Sequence, residues 1–249
     1  MKNFVAKGMT VLTLAAGGTH AQDYEREKRW ADEITLGVVV GDALRIKAAS
    51  GREFLALHAE GKPGMPAIVL AHSVGVHPDH SIIGLLRASL NDLGYTTMSI
   101  QLPVQDKNAA VDDYFPKVFP DAADRLAKAA EWLRGRGHTR LILLSHSMGA
   151  WMANVYLDAA HGTTPYRAWV VMGLTGGYSW GMRRYALPIL DVYGEADITP
   201  VLGASGRRKF ALKDANGSRQ VMIPGADHFY AGREKELAQA IDAFVRELK

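Results

Sequence analysis

The first residues that suggest chemistry are Ser145-His146-Ser147-Met148-Gly149, which follow a short apolar stretch and precede a helical one. A strand that turns sharply into a helix strains its central residue, so the residues two before and two after it must be small. Ser145 and Gly149 meet this condition, although Ser145 stands where such motifs have glycine. The pattern predicts a turn that presents the Ser147 hydroxyl above a sheet. The alternative is a surface serine in an ordinary turn.

Two later residues could activate that hydroxyl, which is a weak nucleophile until a base takes its proton. His228 follows the β-rich stretch Arg219–Ile223, and Asp197 follows the stretch Ile189–Tyr193. An imidazole base needs a carboxylate that fixes its tautomer and stabilises its charged form. Because the carboxyl ends of parallel strands share one edge of a sheet, we expect Ser147, His228 and Asp197 to converge.

Other residues offer competing interpretations. Glu195 and Asp227 are alternative acids, although Asp227 adjoins His228 and adjacent side chains rarely face each other. A cluster of metal-ligand types also stands near the first strand-end loop, at His72, His77, Asp79 and His80. A plain loop is favoured there over a metal site. There is no P-loop, and no Gly-x-Gly-x-x-Gly opens a helix after a strand, so we expect neither metal nor cofactor.

The elements that must position these residues alternate along the chain. The β-rich stretches are Thr35–Val40, Leu44–Ala48, Phe54–Ala59, Ala67–Ala71, Thr96–Leu102, Leu141–Leu144, Ala168–Met172, Ile189–Tyr193 and Arg219–Ile223. Helical spacing marks Ile82–Leu93, Ala122–Leu133, Met148–Ala160 and Glu234–Leu248. Strands alternating with helices predict a single α/β domain with a mostly parallel central sheet and helices on both faces.

The connections near the predicted site bear on its accessibility. The segment between Met172 and Pro188 is short and leaves little or no room for a lid. The irregular segment Pro103–Pro120 contains Tyr114, Phe115 and Phe119, and it is the best candidate for a pocket wall or partial cover.

From Tyr24 to the C-terminus the chain resembles the α/β-hydrolase superfamily, through the motif around Ser147 and the order Ser, Asp, His. Three further segments resemble a bacterial, exported domain family of unknown function with α/β-hydrolase character: Glu25–Trp30, Val40–Ala43 and Ser99–Pro103. The resemblance implies that Ser147 is the nucleophile, His228 the base and Asp197 the acid.

A carbonyl attacked by Ser147 needs backbone N–H groups that stabilise its developing negative charge. The Met148 amide, directly after the nucleophile, is one expected donor. Relatives carry His-Gly and then the second donor after the first buried strand, and that pattern places the donor at Val74. Ser73 departs from the usual glycine. The candidates for lining the substrate pocket are His72, Ser73, Tyr178 and Trp180.

Composition limits the class of protein. The chain has 249 residues and no cysteine, which excludes a disulfide scaffold, a thiolate metal site and a cysteine nucleophile. Lys and Arg number 29 against 26 Asp and Glu, with no basic run, so nucleic acid is not an expected partner. Oligomeric state is not indicated.

The N-terminus carries a targeting pattern. Lys2 and Lys7 precede the apolar stretch Met9–Ala16, and small residues end at Ala21. This is typical of a secretory signal peptide, here residues 1–21 with cleavage after Ala21, leaving the hydrolase-like domain 22–249. The stretch is too short to span a bilayer stably. We expect a periplasmic or secreted protein without stable membrane insertion.

The sequence therefore predicts an exported serine hydrolase, carboxylesterase-like, that acts on a small ester through an acyl-enzyme. Thioester or peptide cleavage and acyl transfer to another acceptor use the same residues. The alternative from a different class is a catalytically inactive binding or scaffold protein of the periplasm, supported by the departures at Ser73 and Ser145.

Overall fold

The computed structural model of the chain describes residues 22–160, 162–178, 187–212 and 217–248. The predicted signal peptide, residues 1–21, lies outside the described residues, and so does the predicted pocket residue Trp180. None of the described helices is long and apolar enough to cross a membrane.

Within these described ranges, eight strands form one sheet in the order β1-β2-β4-β3-β5-β6-β7-β8. Their bounds are Asp42–Lys47 for β1, Glu53–Ala59 for β2, Ala67–Ala71 for β3, Thr96–Ile100 for β4, Leu141–His146 for β5, Tyr166–Met172 for β6, Ile189–Gly194 for β7 and Arg219–Ile223 for β8. β2 pairs antiparallel with β1 and with β4. The other neighbours all pair in parallel. The carboxyl ends of β3 to β8 therefore lie along one edge.

The described residues form six α-helices beside the sheet: α1 (Tyr24–Thr35), α2 (Ser81–Asp92), α3 (Phe119–Arg134), α4 (Met148–Ala159), α5 (Thr199–Leu212) and α6 (Glu234–Glu247). Side chains of β3 alternate between two apolar cores, because successive residues of a strand point to opposite faces. Ala67, Val69 and Ala71 face the core shared with α3 and α4. Ile68 and Leu70 face the core shared with α2 and α6. The predicted fold class is confirmed.

One element prediction needs correction, and two helices were not predicted. The predicted β-rich stretch Thr35–Val40 is wrong, because α1 runs to Thr35 and an irregular turn follows it. Leu36 and Val39 are more than nine-tenths exposed there, so the apolar pattern does not mark a buried strand. Sequence reasoning also missed α1 itself and α5, whose weak apolar periodicity hid it.

α1 is anchored by a buried ion pair rather than by a broad apolar face. Nη1 of Arg125, on α3, lies 2.8 Å from Oε2 of Glu27, and both side chains are almost fully buried. Glu27 Oε1 also accepts the Val104 amide at 3.1 Å. Arg125 donates to the carbonyl of Gln101 at 2.9 Å, just after β4. These contacts join α1 and α3 to the strand ends that border the site.

Candidate active site

Ser147 occupies a strained turn between β5 and α4. Its φ is 55° and its ψ is −118°, in a region that side-chain-bearing residues rarely adopt. The turn brings α4 so close to β3 that a Cβ on Gly149 would lie 2.3 Å from the carbonyl oxygen of His72. Gly149 is therefore required, as the sequence pattern implied, and Ser147 stands at the carboxyl edge of the sheet.

The structure brings Ser147, His228 and Asp197 together. His228 Nε2 lies 3.0 Å from Ser147 Oγ, and His228 Nδ1 lies 2.6 Å from Asp197 Oδ1. A carboxylate accepts hydrogen bonds, so Asp197 selects the tautomer of neutral His228 with its proton on Nδ1. Nε2 is then free to accept the Ser147 hydroxyl proton, which is the geometry a nucleophile and its base require.

Asp197 is held as a carboxylate by its hydrogen bonds. Burial alone would raise its pKa, but hydrogen bonds from His228 and from the amides of Gly194 and Ile198 outweigh burial, and the pKa stays below its ordinary value. The amides lie 3.2 Å and 2.8 Å from the two carboxylate oxygens. A negative charge therefore persists beside the imidazole.

The two alternative acids have other partners. Glu195 Oε2 accepts the Gly225 amide at 2.9 Å and so closes the neighbouring loop. Asp227 Oδ1 accepts the amides of Phe229 and Ala231 at 2.9 Å and 3.2 Å. Among the described residues, the carboxylate bonded to the His228 ring is that of Asp197.

His146 and Gly173 fix the backbone and the space around His228. His146 Nε2 donates to the His228 carbonyl at 2.8 Å, and the two ring centroids are 4.9 Å apart. Burial first and the neighbouring His228 second lower the pKa of His146 to about 4, so it stays neutral. A Cβ on Gly173, whose φ is +57°, would lie 2.9 Å from Cε1 of His228. Sequence reasoning missed both residues.

Ser145 has a partner that explains its departure from the usual glycine. Its buried Oγ accepts a hydrogen bond from Trp169 Nε1 at 2.7 Å. Trp169 lies on β6, beside β5, and its side chain is fully buried. The hydroxyl therefore satisfies an indole N–H that glycine would leave without this acceptor.

His72 is part of the scaffold rather than of a pocket wall, which corrects its predicted placement. Its side chain is buried, with Nδ1 at 2.7 Å from the Ser73 carbonyl and Nε2 accepting the Leu102 amide at 2.9 Å. Burial lowers the pKa of His72 to about 3, so the ring is neutral. Nδ1 then donates to Ser73. Because a trans peptide places its C=O and N–H on opposite sides, this bond fixes the direction of the Val74 amide.

Two further contacts hold the loop that contains Val74. Arg26, on α1, donates to the Gly75 carbonyl at 2.9 Å, and Gln101 donates to the Val76 carbonyl at 3.3 Å. Met148 begins α4, and the first N–H groups of a helix have no partner within it. The predicted donor Met148 thus follows Ser147 at a helix start, and the loop that contains Val74 is held by contacts on both sides of it.

Aromatic residues lie on α4 and the preceding segment. Phe115, 44% exposed, stacks on Trp151 with centroids 5.3 Å apart, and Phe119 meets Trp151 edge-on at 5.2 Å. The Trp151 amide bonds to the Ser147 carbonyl, so this cluster begins one helical turn from the serine. Tyr178 packs edge-on against the buried Trp169, with centroids 5.9 Å apart.

The residues around His77 are engaged with one another. His77 Nδ1 accepts the Asp79 amide at 3.3 Å, and Asp79 pairs with Arg87 at 2.9 Å. The His77 and His80 rings meet edge-on with centroids 5.4 Å apart. His72 has the separate partners described above.

Comparison with known proteins supports the fold. No protein-family model matches the chain, and no curated protein matches it by sequence. Est1E from Butyrivibrio proteoclasticus aligns with a TM-score of 0.64 at 15% identity, over 83% of this chain and 98% of that one. An α/β serine hydrolase without lid from Xanthomonas campestris gives 0.62 at 19% identity, over 84% and 95%. A dienelactone hydrolase from Anabaena variabilis gives 0.67 at 17% identity, over 83% and 96%.

This chain therefore has the α/β-hydrolase fold, as its sequence resemblance implied. The narrower resemblance, to an exported bacterial family, stays a prediction.

Replacing Ser145 by Gly restores the common motif, yet we expect it to destabilise the protein. The change leaves Trp169 Nε1 buried without its acceptor, which costs about 1–3 kcal/mol. Urea unfolding of Ser145→Gly and Ser145→Ala measures this loss. Ser50→Ala, at an exposed serine, is the control. The effect of Ser145→Ala should shrink by about 1 kcal/mol in a Trp169→Phe background. Equal effects in both backgrounds would contradict the role given to this bond.

The buried neutral histidines predict a loss of stability in acid. The pKa of His72 is about 3 and that of His146 about 4 in the folded chain, against an ordinary 6.5. The unfolded chain therefore binds more protons between these values, and the free energy of unfolding falls as pH drops below about 6.5. Each histidine contributes about 1.4 kcal/mol per pH unit in that range. The buried carboxyls Glu27 and Asp191 have raised pKa values and act in the opposite sense.

The test therefore compares, between variants, how steeply the free energy of unfolding changes with pH. Urea unfolding at several pH values from 7 to 4.5 measures it. His146→Gln keeps a donor for the His228 carbonyl but removes the titration, so its slope should be shallower than wild type by about one proton. His80→Gln, at an exposed site, should keep the wild-type slope. An unchanged slope in His146→Gln would show that this residue is not buried neutral.

Proposed function

We propose that this chain is an exported serine hydrolase that acts on ester-type bonds through an acyl-enzyme. The observation that carries the proposal is the pair of contacts made by His228, 3.0 Å to Ser147 Oγ and 2.6 Å to Asp197 Oδ1. Separate strand-end loops supply the three side chains, and a strained turn presents the serine. Strain of this kind persists only where the surrounding structure enforces it.

The proposed reaction has two halves. The Ser147 oxygen attacks the ester carbonyl while His228 Nε2 takes the hydroxyl proton, and a tetrahedral oxyanion forms. The oxyanion collapses, the C–O bond to the alcohol breaks, and His228 returns the proton to the departing oxygen. Water then attacks the acyl-enzyme, with His228 again accepting a proton, and the acid leaves as Ser147 regains its hydrogen.

Two electrostatic features lower the barrier in this scheme. Asp197 remains a carboxylate and stabilises the imidazolium that forms in both halves. The amides of Met148 and Val74 are the proposed oxyanion donors, and removing one donor in enzymes of this kind costs about 10²–10³-fold in kcat. The Met148 amide also lies at a helix N-terminus, which favours negative charge.

The apolar surroundings favour an uncharged substrate with an aromatic or apolar part. Phe229 is half exposed, and its ring centroid lies 5.3 Å from that of His228. Phe115 and Trp151 provide further aromatic surface one turn from the serine. Solved relatives of the fold include a dienelactone hydrolase and Est1E with ferulic acid bound, which supports ester-type chemistry and an aromatic acid group.

We expect a fluorophosphonate probe to label the purified chain beginning at Gln22, and Ser147→Ala to abolish labelling. On p-nitrophenyl esters, Asp197→Asn should lower kcat on the order of 10³–10⁴-fold, because it loses the tautomer and charge of the acid. Glu195→Gln and Asp227→Asn are the matched controls and should retain most activity. A folded wild type that neither reacts with the probe nor cleaves any ester would instead favour the inactive binding protein.

The proposal of export depends on residues 1–21. Expressed in full in a Gram-negative host, the protein should accumulate in the periplasm with Gln22 as its first residue. The chain without residues 1–21 is the control and should stay in the cytoplasm. N-terminal sequencing of each fraction measures this, and an intact Met1 in the cytoplasm would contradict the proposal.

A further inference from the structure

A cluster of two imidazoles and a carboxylate lies at the edge of the sheet opposite Ser147. His58 is on β2, Glu60 follows that strand, and His138 precedes β5. Ala59 pairs with Thr97 at the start of β4, so Glu60 stands at the amino ends of the parallel strands. The six residues of β5 separate this edge from Ser147 by roughly 20 Å. Each of these three residues offers one possible metal-ligand atom, and within the described part of the chain the three atoms lie within 4.8 Å of one another.

The distances between the ligand atoms suit an ion with tetrahedral coordination. Zn–N and Zn–O bonds of about 2.0–2.1 Å place neighbouring ligand atoms about 3.3 Å apart. His58 Nε2 lies 3.5 Å from Glu60 Oε2, and His138 Nε2 lies 3.4 Å from Glu60 Oε1. The two oxygens of one carboxylate therefore each lie near one imidazole, at about the separation that two ligands of one ion have. One ligand atom of each histidine lies within 4.8 Å of the other and of the carboxylate.

The unpaired imidazole nitrogen of His58 is a second, independent indication of a metal site. Its Nε2 is buried and has no hydrogen-bond partner among the described residues, although Glu60 Oε2 is 3.5 Å away. A buried polar atom left unpaired is costly, and a bound ion would satisfy it. The edge of Trp132, with ring centroids 5.0 Å apart, holds the imidazole in place.

Glu60 is oriented before any ion binds. Its Oε1 accepts the Thr96 hydroxyl at 3.1 Å, and that hydroxyl oxygen accepts the Gly61 amide at 3.0 Å. A Cβ on Gly61 would lie 2.4 Å from backbone atoms at the start of β4, so the chain after Glu60 is pressed against the sheet. Hydrogen bonds of this outer kind orient ligands and raise metal affinity. The positive charge of Arg136 is nearby and would oppose the binding of a cation. Its guanidinium lies on the Trp132 ring.

We propose that His58, Glu60 and His138 bind a divalent transition metal, Zn²⁺ above all, with water completing the coordination. Mixed imidazole and carboxylate ligands suit Zn²⁺ better than Ca²⁺ or Mg²⁺, which take oxygen ligands. The ion would join the end of β2 to the connection between α3 and β5. It lies too far from Ser147 to take part in ester cleavage, so this site is independent of the proposed function.

Isothermal titration of tag-free, chelator-treated protein with Zn²⁺ tests the site, and Co²⁺ absorption reports its coordination. We expect one bound Zn²⁺ per chain and visible Co²⁺ bands of tetrahedral intensity. His138→Ala and Glu60→Gln should each weaken binding at least about 10-fold, since each removes a ligand. Zn²⁺ should raise the melting temperature of wild type but not of His138→Ala.

His77→Ala and His80→Ala are matched controls, because those histidines also lie close together, and both variants should bind as wild type does. Circular dichroism verifies that each variant is folded. Absence of Zn²⁺ binding to folded wild type at micromolar concentrations would overturn the proposal. So would equal affinities in wild type and in both ligand variants, since the ion would then bind elsewhere.

Discussion

The strained turn at Ser147 is the constraint on which the rest of the site depends. A residue with φ of 55° and ψ of −118° leaves the strand abruptly, and α4 then has to start against the end of β3. Only a residue without a side chain fits at Gly149, where a Cβ would meet the carbonyls of Ala71 and His72. The packing of α4 and of the parallel strands around the turn offsets its conformational strain. The serine is consequently presented in one direction.

The imidazole is positioned with similar economy of space. The ring of His228 occupies the space that a Cβ on Gly173 would need. His146 holds the backbone of His228 through a hydrogen bond to its carbonyl. Asp197 then meets a ring whose position is already defined. Its own charge is secured by two backbone amides as well as by His228. Each component of the site is therefore fixed by neighbours that do no chemistry themselves.

The departures from the common motif have structural explanations. Ser145 stands where the common motif has glycine, and its hydroxyl accepts a hydrogen bond from the buried Trp169 indole. Ser73 lies in a loop that is held by His72, by Arg26 from α1 and by Gln101 after β4. The Ser73 carbonyl is itself the acceptor for His72 Nδ1. The two residues that supported an inactive scaffold thus have ordinary structural roles.

The sequence alone was sufficient for the parallel α/β architecture, since buried apolar strands, helical spacing and strand-end loops are local patterns. It also predicted that Ser147, Asp197 and His228 would meet, because chemistry restricts residue type and strand ends restrict position. It did not reveal α1, whose docking relies on the buried pair of Glu27 and Arg125 rather than on an apolar stripe. The grouping of His58, Glu60 and His138 was equally invisible, because the last residue is far away in the chain. Which distant side chains meet, and which are buried without a partner, depends on how strands and helices pack, and that was decided only by the tertiary structure.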